Sequence, residues 1–209
     1  MKSYLDTENI NRSTTDVEWH PLRPFLPTNA RVLFLGSFPP QRKRWSMDFY
    51  YPNFINDHWR IEGEVWFGNR NHFVDTTAKC FLIEKIVEFC QAKGLAFFDT
   101  ATAIRRLAGN ASDKFLEVVE PTDIETLIQQ TPHLQAIVTT GEKATETLCK
   151  QFSLAYIPKT GENIPTGLKN AEGKNIALFR LPSSSRAYPL AFNKKVEAYR
   201  NMFDECMND

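Results

Sequence analysis

The sequence predicts an α/β fold: a three-layer α/β/α arrangement around a central four-stranded parallel sheet. Two observations carry that prediction. Four short runs are continuously apolar and bounded by turn or breaker residues: Arg31–Ser37 (RVLFLGS), Leu95–Thr100 (LAFFDT), Ala136–Gly141 (AIVTTG) and Ile176–Pro182 (IALFRLP). Unbroken rather than alternating apolarity marks strands covered on both faces. Helical patterns separate the runs, and strands alternating with helices build a parallel sheet with helices on both sides.

In chain order, residues 1–16 are polar, lack a hydrophobic signal core, and read as a flexible tail before a domain spanning 17–209. After the first run, 41–73 is a long irregular stretch that keeps Trp, Tyr and Phe. Such a loop is expected to pack over something. Thr77–Ala92 places Phe81, Leu82, Ile86, Phe89 and Cys90 near helical spacing. Thr122-Asp123-Ile124-Glu125 after Pro121 is a capping-box pattern that opens a short helix. Glu142–Gln151 follows Gly141 as a further helix. The Gly-, Asn- and Pro-rich stretch Pro158–Lys174 reads as a surface excursion with a hairpin around Asn170–Gly173. Pro189–Cys206 is the last helix, with Val196, Tyr199 and Phe203 on one stripe.

Composition narrows the function classes. With 209 residues, 42% of them hydrophobic, the chain can bury one sizeable core. Lys plus Arg balances Asp plus Glu, so bulk charge does not draw the protein to nucleic acid, although a local basic patch suffices for binding. Cys80, Cys90, Cys149 and Cys206 form no CxxC pair, and His20, His58, His72 and His133 have no metal-ligand spacing. No metal and no cofactor is expected. Free thiols and the absence of a 20-residue apolar run point to a cytoplasmic protein without a membrane span.

Ligands of parallel sheets gather at the carboxyl ends of the strands, so the residues after each run deserve inspection first. Gly36-Ser37-Phe38-Pro39-Pro40 is a strand end stiffened by two prolines, able to hold the N–H groups of Ser37 and Phe38 toward a cleft. Leu181-Pro182-Ser183-Ser184-Ser185-Arg186-Ala187 sets three serines and an arginine between a strand and a helix, a composition suited to phosphate. Either loop alone also fits an ordinary turn.

Together, and in this order, they resemble the uracil-DNA glycosylase superfamily, most closely its hypoxanthine-DNA glycosylase-like branch. In that branch a GSxPG-like turn is followed by a Y-Y…P…N-x-x-W segment and a late LPSTSPAN-like loop. The matching residues are Gly36–Pro40, then Tyr50-Tyr51-Pro52 with Asn56 and Trp59, then Leu181–Ala187, with Gly94–Asp99 and Thr140–Ala144 in between. The resemblance covers about residues 20–204. It departs at Pro40, where the pattern has glycine, at Arg186, where it has proline, and at Tyr188, where it has asparagine.

The resemblance implies a monomeric, monofunctional DNA glycosylase acting on DNA that contains a damaged base. It casts Asn56 as the catalytic, water- or base-orienting residue, with neighbouring Asp57 as an alternative acid/base. Ser37, Phe38, Tyr51 and Asp99 become base-binding residues. An ionised Asp99 accepts hydrogen bonds only, which favours a base offering N–H; a protonated one could donate. Pro39, Arg42, Arg44, Ser183, Ser184, Ser185 and Arg186 become DNA-binding residues. Arg105-Arg106 is either a second contact or a helix-surface pair. His58 fits a structural histidine better than a pocket residue. Two other readings remain: a DNA-binding protein with this fold but no activity, and an unrelated α/β enzyme for phosphorylated substrates, which lacks the supporting GxGxxG or GxxxxGK[ST] loop.

Overall fold

The computed structural model describes residues 16–107 and 115–207. The predicted tail, residues 1–16, lies outside them except for Asp16. Four predicted strands form the parallel core of the central sheet: β2 (Val32–Gly36), β5 (Leu95–Asp99), β8 (Ala136–Thr140) and β10 (Asn175–Leu181). Their order is β5-β2-β8-β10, and every neighbouring pair is parallel. The excursion contributes more than a hairpin turn. Its first arm is β9 (Asn163–Lys169), a fifth strand that pairs antiparallel with β10 at the sheet edge. Pro165, exposed like Asn163, Gly167 and Lys169 at alternate positions, suits an edge position, where one side of the backbone needs no partner. Asn170 makes the turn, its Oδ1 accepting from the N–H groups of Glu172 and Lys174.

The connection from β2 leads one way, to β5. Those from β5 to β8 and from β8 to β10 lead the other way. Right-handed crossovers then put α1 (His58–Phe67) and α2 (Ile83–Lys93) on one face, and α3 (Ile124–Gln129) and α4 (Glu142–Gln151) on the other. The last helix, α5 (Phe192–Met207), returns to the α1 face, where Trp66 and Phe203 meet at 4.9 Å between ring centroids. Phe34 of β2 anchors that layer. It stacks on Phe97 at 5.3 Å and touches His58, Tyr199 and Phe203. On the opposite face, the hydroxyls of Thr139 and Thr145 join β8 to α4 at 2.9 Å.

Three elements depart from expectation. About a third of the supposedly irregular 41–73 stretch is α1, whose residues from His58 to Gly63 are all buried. A helix covered all round has no polar stripe, so periodicity does not reveal it. Helix α2 begins at Ile83 rather than Thr77, because Asp75 Oδ1 accepts from Thr77 N and Ala78 N, and Lys79 adopts a positive φ of 54°. That turn links the short strands β3 (Val74–Asp75) and β4 (Cys80–Phe81). A second, antiparallel sheet joins β1 (Glu18–Trp19), β6 (Ala101–Arg106) and β7 (Leu116–Pro121). It begins one residue after β5, so it stands just beyond the carboxyl end of the central sheet.

Candidate active site

The strand order reverses direction between β2 and β8, and the crevice at such a switch point is where open α/β sheets bind ligands. Around it lie the ends of β2, β5, β8 and β10, with a loop running from the 3₁₀ turn Arg42–Arg44 to α1. The first turn is held from both sides. Arg106 donates to the carbonyl of Pro39 at 2.7 Å, and the Trp45 indole donates to that of Pro40 at 2.6 Å. The N–H groups of Ser37 and Phe38 donate to nothing among the described residues, although each residue is 8% exposed. Backbone donors in nearly buried residues are rarely left without a partner, so these two are candidate ligand contacts. The Phe38 ring packs with Ala101, Ile104 and Leu116 under the second sheet.

Asp99 ends β5 directly beside Gly36 in the parallel register. Its Oδ1 lies so close over Gly36 that any Cβ there would collide with it. Glycine is needed at 36 for this approach rather than for an unusual φ. Asp99 Oδ2 meets His20 Nε2 at 2.9 Å. The His20 ring is wedged among Phe38, Tyr50 and Phe98, with centroids 5.2, 6.3 and 4.5 Å away. The Tyr50 hydroxyl donates to Arg23 O at 2.9 Å, and burial followed by the Asp99 charge pushes its pKa far up.

The other wall joins two loops. Asn56 and Ser185 form an antiparallel bridge, and Asp57 N–H donates to Ser184 O at 3.0 Å. Asn56 Oδ1 accepts from His58 N at 2.9 Å, an Asx turn that leads into α1. Asp57 Oδ1 is paired with Arg186 Nε at 2.8 Å, and Lys195, itself buried, donates to Ser185 O at 2.6 Å. Burial lowers the Lys195 pKa, opposed by the Asp57 charge. Tyr51 reaches across with φ of 50°, its hydroxyl 2.7 Å from Thr140 Oγ1 and its ring stacked on His58 at 3.7 Å. Backbone strain of this kind collects at functional sites. Gly141 follows Thr140 with φ of 107°, closed to most side chains, and lies beside Ser183.

The predicted residues are therefore mostly gathered, with three refinements. Ser184 is 2% exposed and turned inward next to Tyr199, leaving Ser183 and Ser185 nearer the surface. Arg105-Arg106 lies on a strand, not a helix. Arg106 is a buried clamp on Glu18 and Pro39, while Arg105 pairs with Glu117 at the surface. Arg42 is exposed, ion-paired with Asp48 at 2.7 Å and 4.3 Å from the Trp45 ring centre; Arg44 is also exposed.

His58 is fully buried and structural in its packing, yet neither ring nitrogen has a hydrogen-bond partner among the described residues. Burial drives its pKa well down and pushes that of neighbouring Glu62 up to about 8. Among the described residues, no three of His, Cys, Asp and Glu come together to hold a metal, and no helix is long and apolar enough to cross a membrane.

No family model and no curated protein matches the sequence. Among solved structures, the chain is similar to a solution structure from Methanosarcina acetivorans, provisionally described as a uracil DNA glycosylase. The TM-score is 0.58 at 22% identity, covering 90% of this chain and 99% of that one. The two chains share one fold. Within it, the residues gathered above lie around the carboxyl ends of the parallel strands.

One member of the site escaped the sequence reading. His20 is 79 positions from Asp99, and no spacing connects the two. Only the folding of 17–26 against β5 and β6, through Phe25 with Phe97 and His20 with Thr102, brings them together.

Proposed function

We propose that the protein is a DNA base-excision glycosylase that hydrolyses the N-glycosidic bond of a deaminated base, hypoxanthine, uracil or xanthine, after flipping it from the helix. The observation that carries this reading is the pair of N–H groups at Ser37 and Phe38, without a partner among the described residues, beside Oδ1 of Asp99. Two donors and an acceptor match the carbonyl and N–H of a lactam edge. As the C1′–N bond lengthens, negative charge gathers on the base. Fixed amides in a site that excludes water stabilise that charge without reorganising. A base reaches such a crevice only once it is out of the stack.

Tyr51 closes the pocket from the β8 side. Ser183, Ser185 and Arg186, with Arg42 and Arg44 on the neighbouring turn and Pro39 between, grip the flanking backbone; Ser184 shapes the loop from within. Asn56 orients the water that attacks C1′. Its carbonyl oxygen is fixed by His58 N, which holds the side chain in one orientation and leaves Nδ2 for the substrate or water. Asp57 is the weaker candidate for the base, because its Oδ1 is already engaged by Arg186 Nε at 2.8 Å. No resident cofactor or metal is needed for this hydrolysis.

The test is incubation with oligonucleotides carrying hypoxanthine, uracil or xanthine, followed by alkali to cut at abasic sites. Cleavage of at least one is expected. DNA binding without cleavage across the panel would assign the protein to the inactive, binding-only class, and no DNA binding at low salt would exclude both. In an active protein, Asn56→Ala is expected to lower turnover about 100-fold or more, with Asp57→Ala less affected. A fully active Asn56→Ala removes the assignment of Asn56.

A further inference from the structure

The contact between His20 and Asp99 bears on which base the pocket accepts, given the glycosylase reading above, on which this inference rests. His20 keeps 2% of its side-chain surface exposed and Asp99 keeps 10%. Of the two side chains, the carboxylate is therefore the more exposed. Its Oδ2 is engaged by Nε2 at 2.9 Å; its Oδ1 lies over Gly36 at the head of the Ser37–Phe38 turn and has no hydrogen-bond partner among the described residues.

The proton inventory leads to one outcome for Oδ1. His20 Nδ1 sits 2.8 Å from Leu22 O and 3.2 Å from Leu22 N. If Nδ1 is bare and accepts from Leu22 N, the ring hydrogen is on Nε2 and points at Oδ2 of Asp99. If Nδ1 carries hydrogen and donates to Leu22 O, then Nε2 either carries a second hydrogen or accepts one from Oδ2. In each case Oδ1 is an acceptor.

We propose that His20 is a positioning residue for base selection: by holding Oδ2 of Asp99 it leaves Oδ1 as a pure acceptor, which restricts the pocket to bases presenting a ring N–H at that edge. Hypoxanthine, xanthine and uracil satisfy this requirement. A base with a bare ring nitrogen there sets two acceptors against each other. Phe38, Tyr50 and Phe98 fix the ring from three sides, so the carboxylate does not turn to present its other oxygen.

The experiment compares excision of hypoxanthine with that of purine, and of uracil with that of pyrimidin-2-one, the second base of each pair carrying a bare nitrogen and no added bulk. The full chain is used as wild type, His20→Phe and His20→Gln. Wild type is expected to prefer the N–H base by about 100-fold or more, since sites built around a buried polar partner reject analogues that lack it. His20→Phe retains an aromatic ring but no donor, which leaves Oδ2 unheld and the carboxylate free to turn. Its preference is expected to fall at least about tenfold. His20→Gln restores an N–H and is expected to recover most of the preference.

An unchanged preference in folded, active His20→Phe overturns the proposal, as does wild-type excision of both bases in each pair at similar rates. If His20→Phe is inactive or unfolded, His20→Gln decides: an active, selective enzyme supports the proposal and a dead or unselective one overturns it. If wild type excises no base at all, the glycosylase reading fails and takes this one with it; that result is distinct from activity without selectivity.

Discussion

The two walls of the crevice are built on different physics. The Gly36–Asp99 wall is locked by burial: a carboxylate lies over a glycine, one oxygen is held by a ring that three aromatic residues enclose, and Arg106 clamps the turn from behind. The Asn56–Ser185 wall is laced by charge near the surface, with Arg186 46% exposed on its side chain while Asp57 is 9% exposed. Buried, tightly packed contacts are scarcely touched by salt, whereas exposed ion pairs are screened by it and open to competition from phosphate. The difference suits the two tasks proposed for them. Reading a base requires groups that are already in place. Gripping a backbone requires a cation that can change partner.

The largest expected effect breaks the first wall. Gly36→Ala drives a Cβ into Asp99 Oδ1 and is expected to cost about 1–3 kcal/mol of stability, as overpacking does. Glycosylase activity should fall with it. Thermal and urea melting measure the first and the excision panel the second. A variant as stable and active as wild type would mean that Asp99 does not need this approach.

Intermediate in size is a pH effect beneath the second wall, where α1 carries Glu62 and His58, both fully buried. Burial raises the Glu62 pKa from 4.5 to about 8. The unfolded chain gives up this proton at lower pH than the folded one, so the stability linked to Glu62 is fully present below pH 4.5 and is lost as pH rises through about 8. His58 acts in the opposite sense. Its folded pKa lies well below 6.5, so its contribution is present above 6.5 and is lost as pH falls toward the folded value. Glu62→Gln retains an acceptor for the Trp66 indole and removes the first titration. Its melting temperature relative to wild type should therefore rise between pH 5 and pH 8.5. A constant difference across that range would show that Glu62 does not titrate there.

The smallest effect on stability, and the sharpest contrast between the walls, comes from Arg186→Ala. Removing a half-exposed partner should change stability by less than about 1 kcal/mol. DNA affinity should weaken, and the slope of log affinity against log salt should become shallower by about one. Fluorescence anisotropy across a salt series measures it. An unchanged slope would mean that Arg186 stays on Asp57 when DNA is bound.

Much of the fold was legible in the sequence, and the site only in part. The four parallel strands appear as apolar runs within one residue of their observed ends at nearly every terminus, because strands covered on both faces need unbroken apolar sequence. Helix α1 was not legible: burial from His58 to Gly63 leaves no amphipathic stripe, and it includes the charged Arg60 and Glu62. Strand β9, with its alternating exposed residues, resembled a loop. Ser37, Asn56 and Ser183 stood out because they follow strands or sit in a recognisable segment. His20 had no such marker.

By itself, then, the sequence determined which segments become the buried strands and which turn residues follow them, since both are local consequences of apolar runs and of Pro, Gly and Ser placed at their ends. Only the tertiary structure decided what those turns contain. Asp99 becomes an acceptor with one open oxygen because His20 arrives from 79 positions away. Asp57 becomes an ion-pair partner because Arg186 arrives from 129. Ser184 turns inward while its neighbours stay near the surface. Partnerships between such distant residues leave no periodicity in the chain; they exist only once the sheet order has set the strand ends side by side.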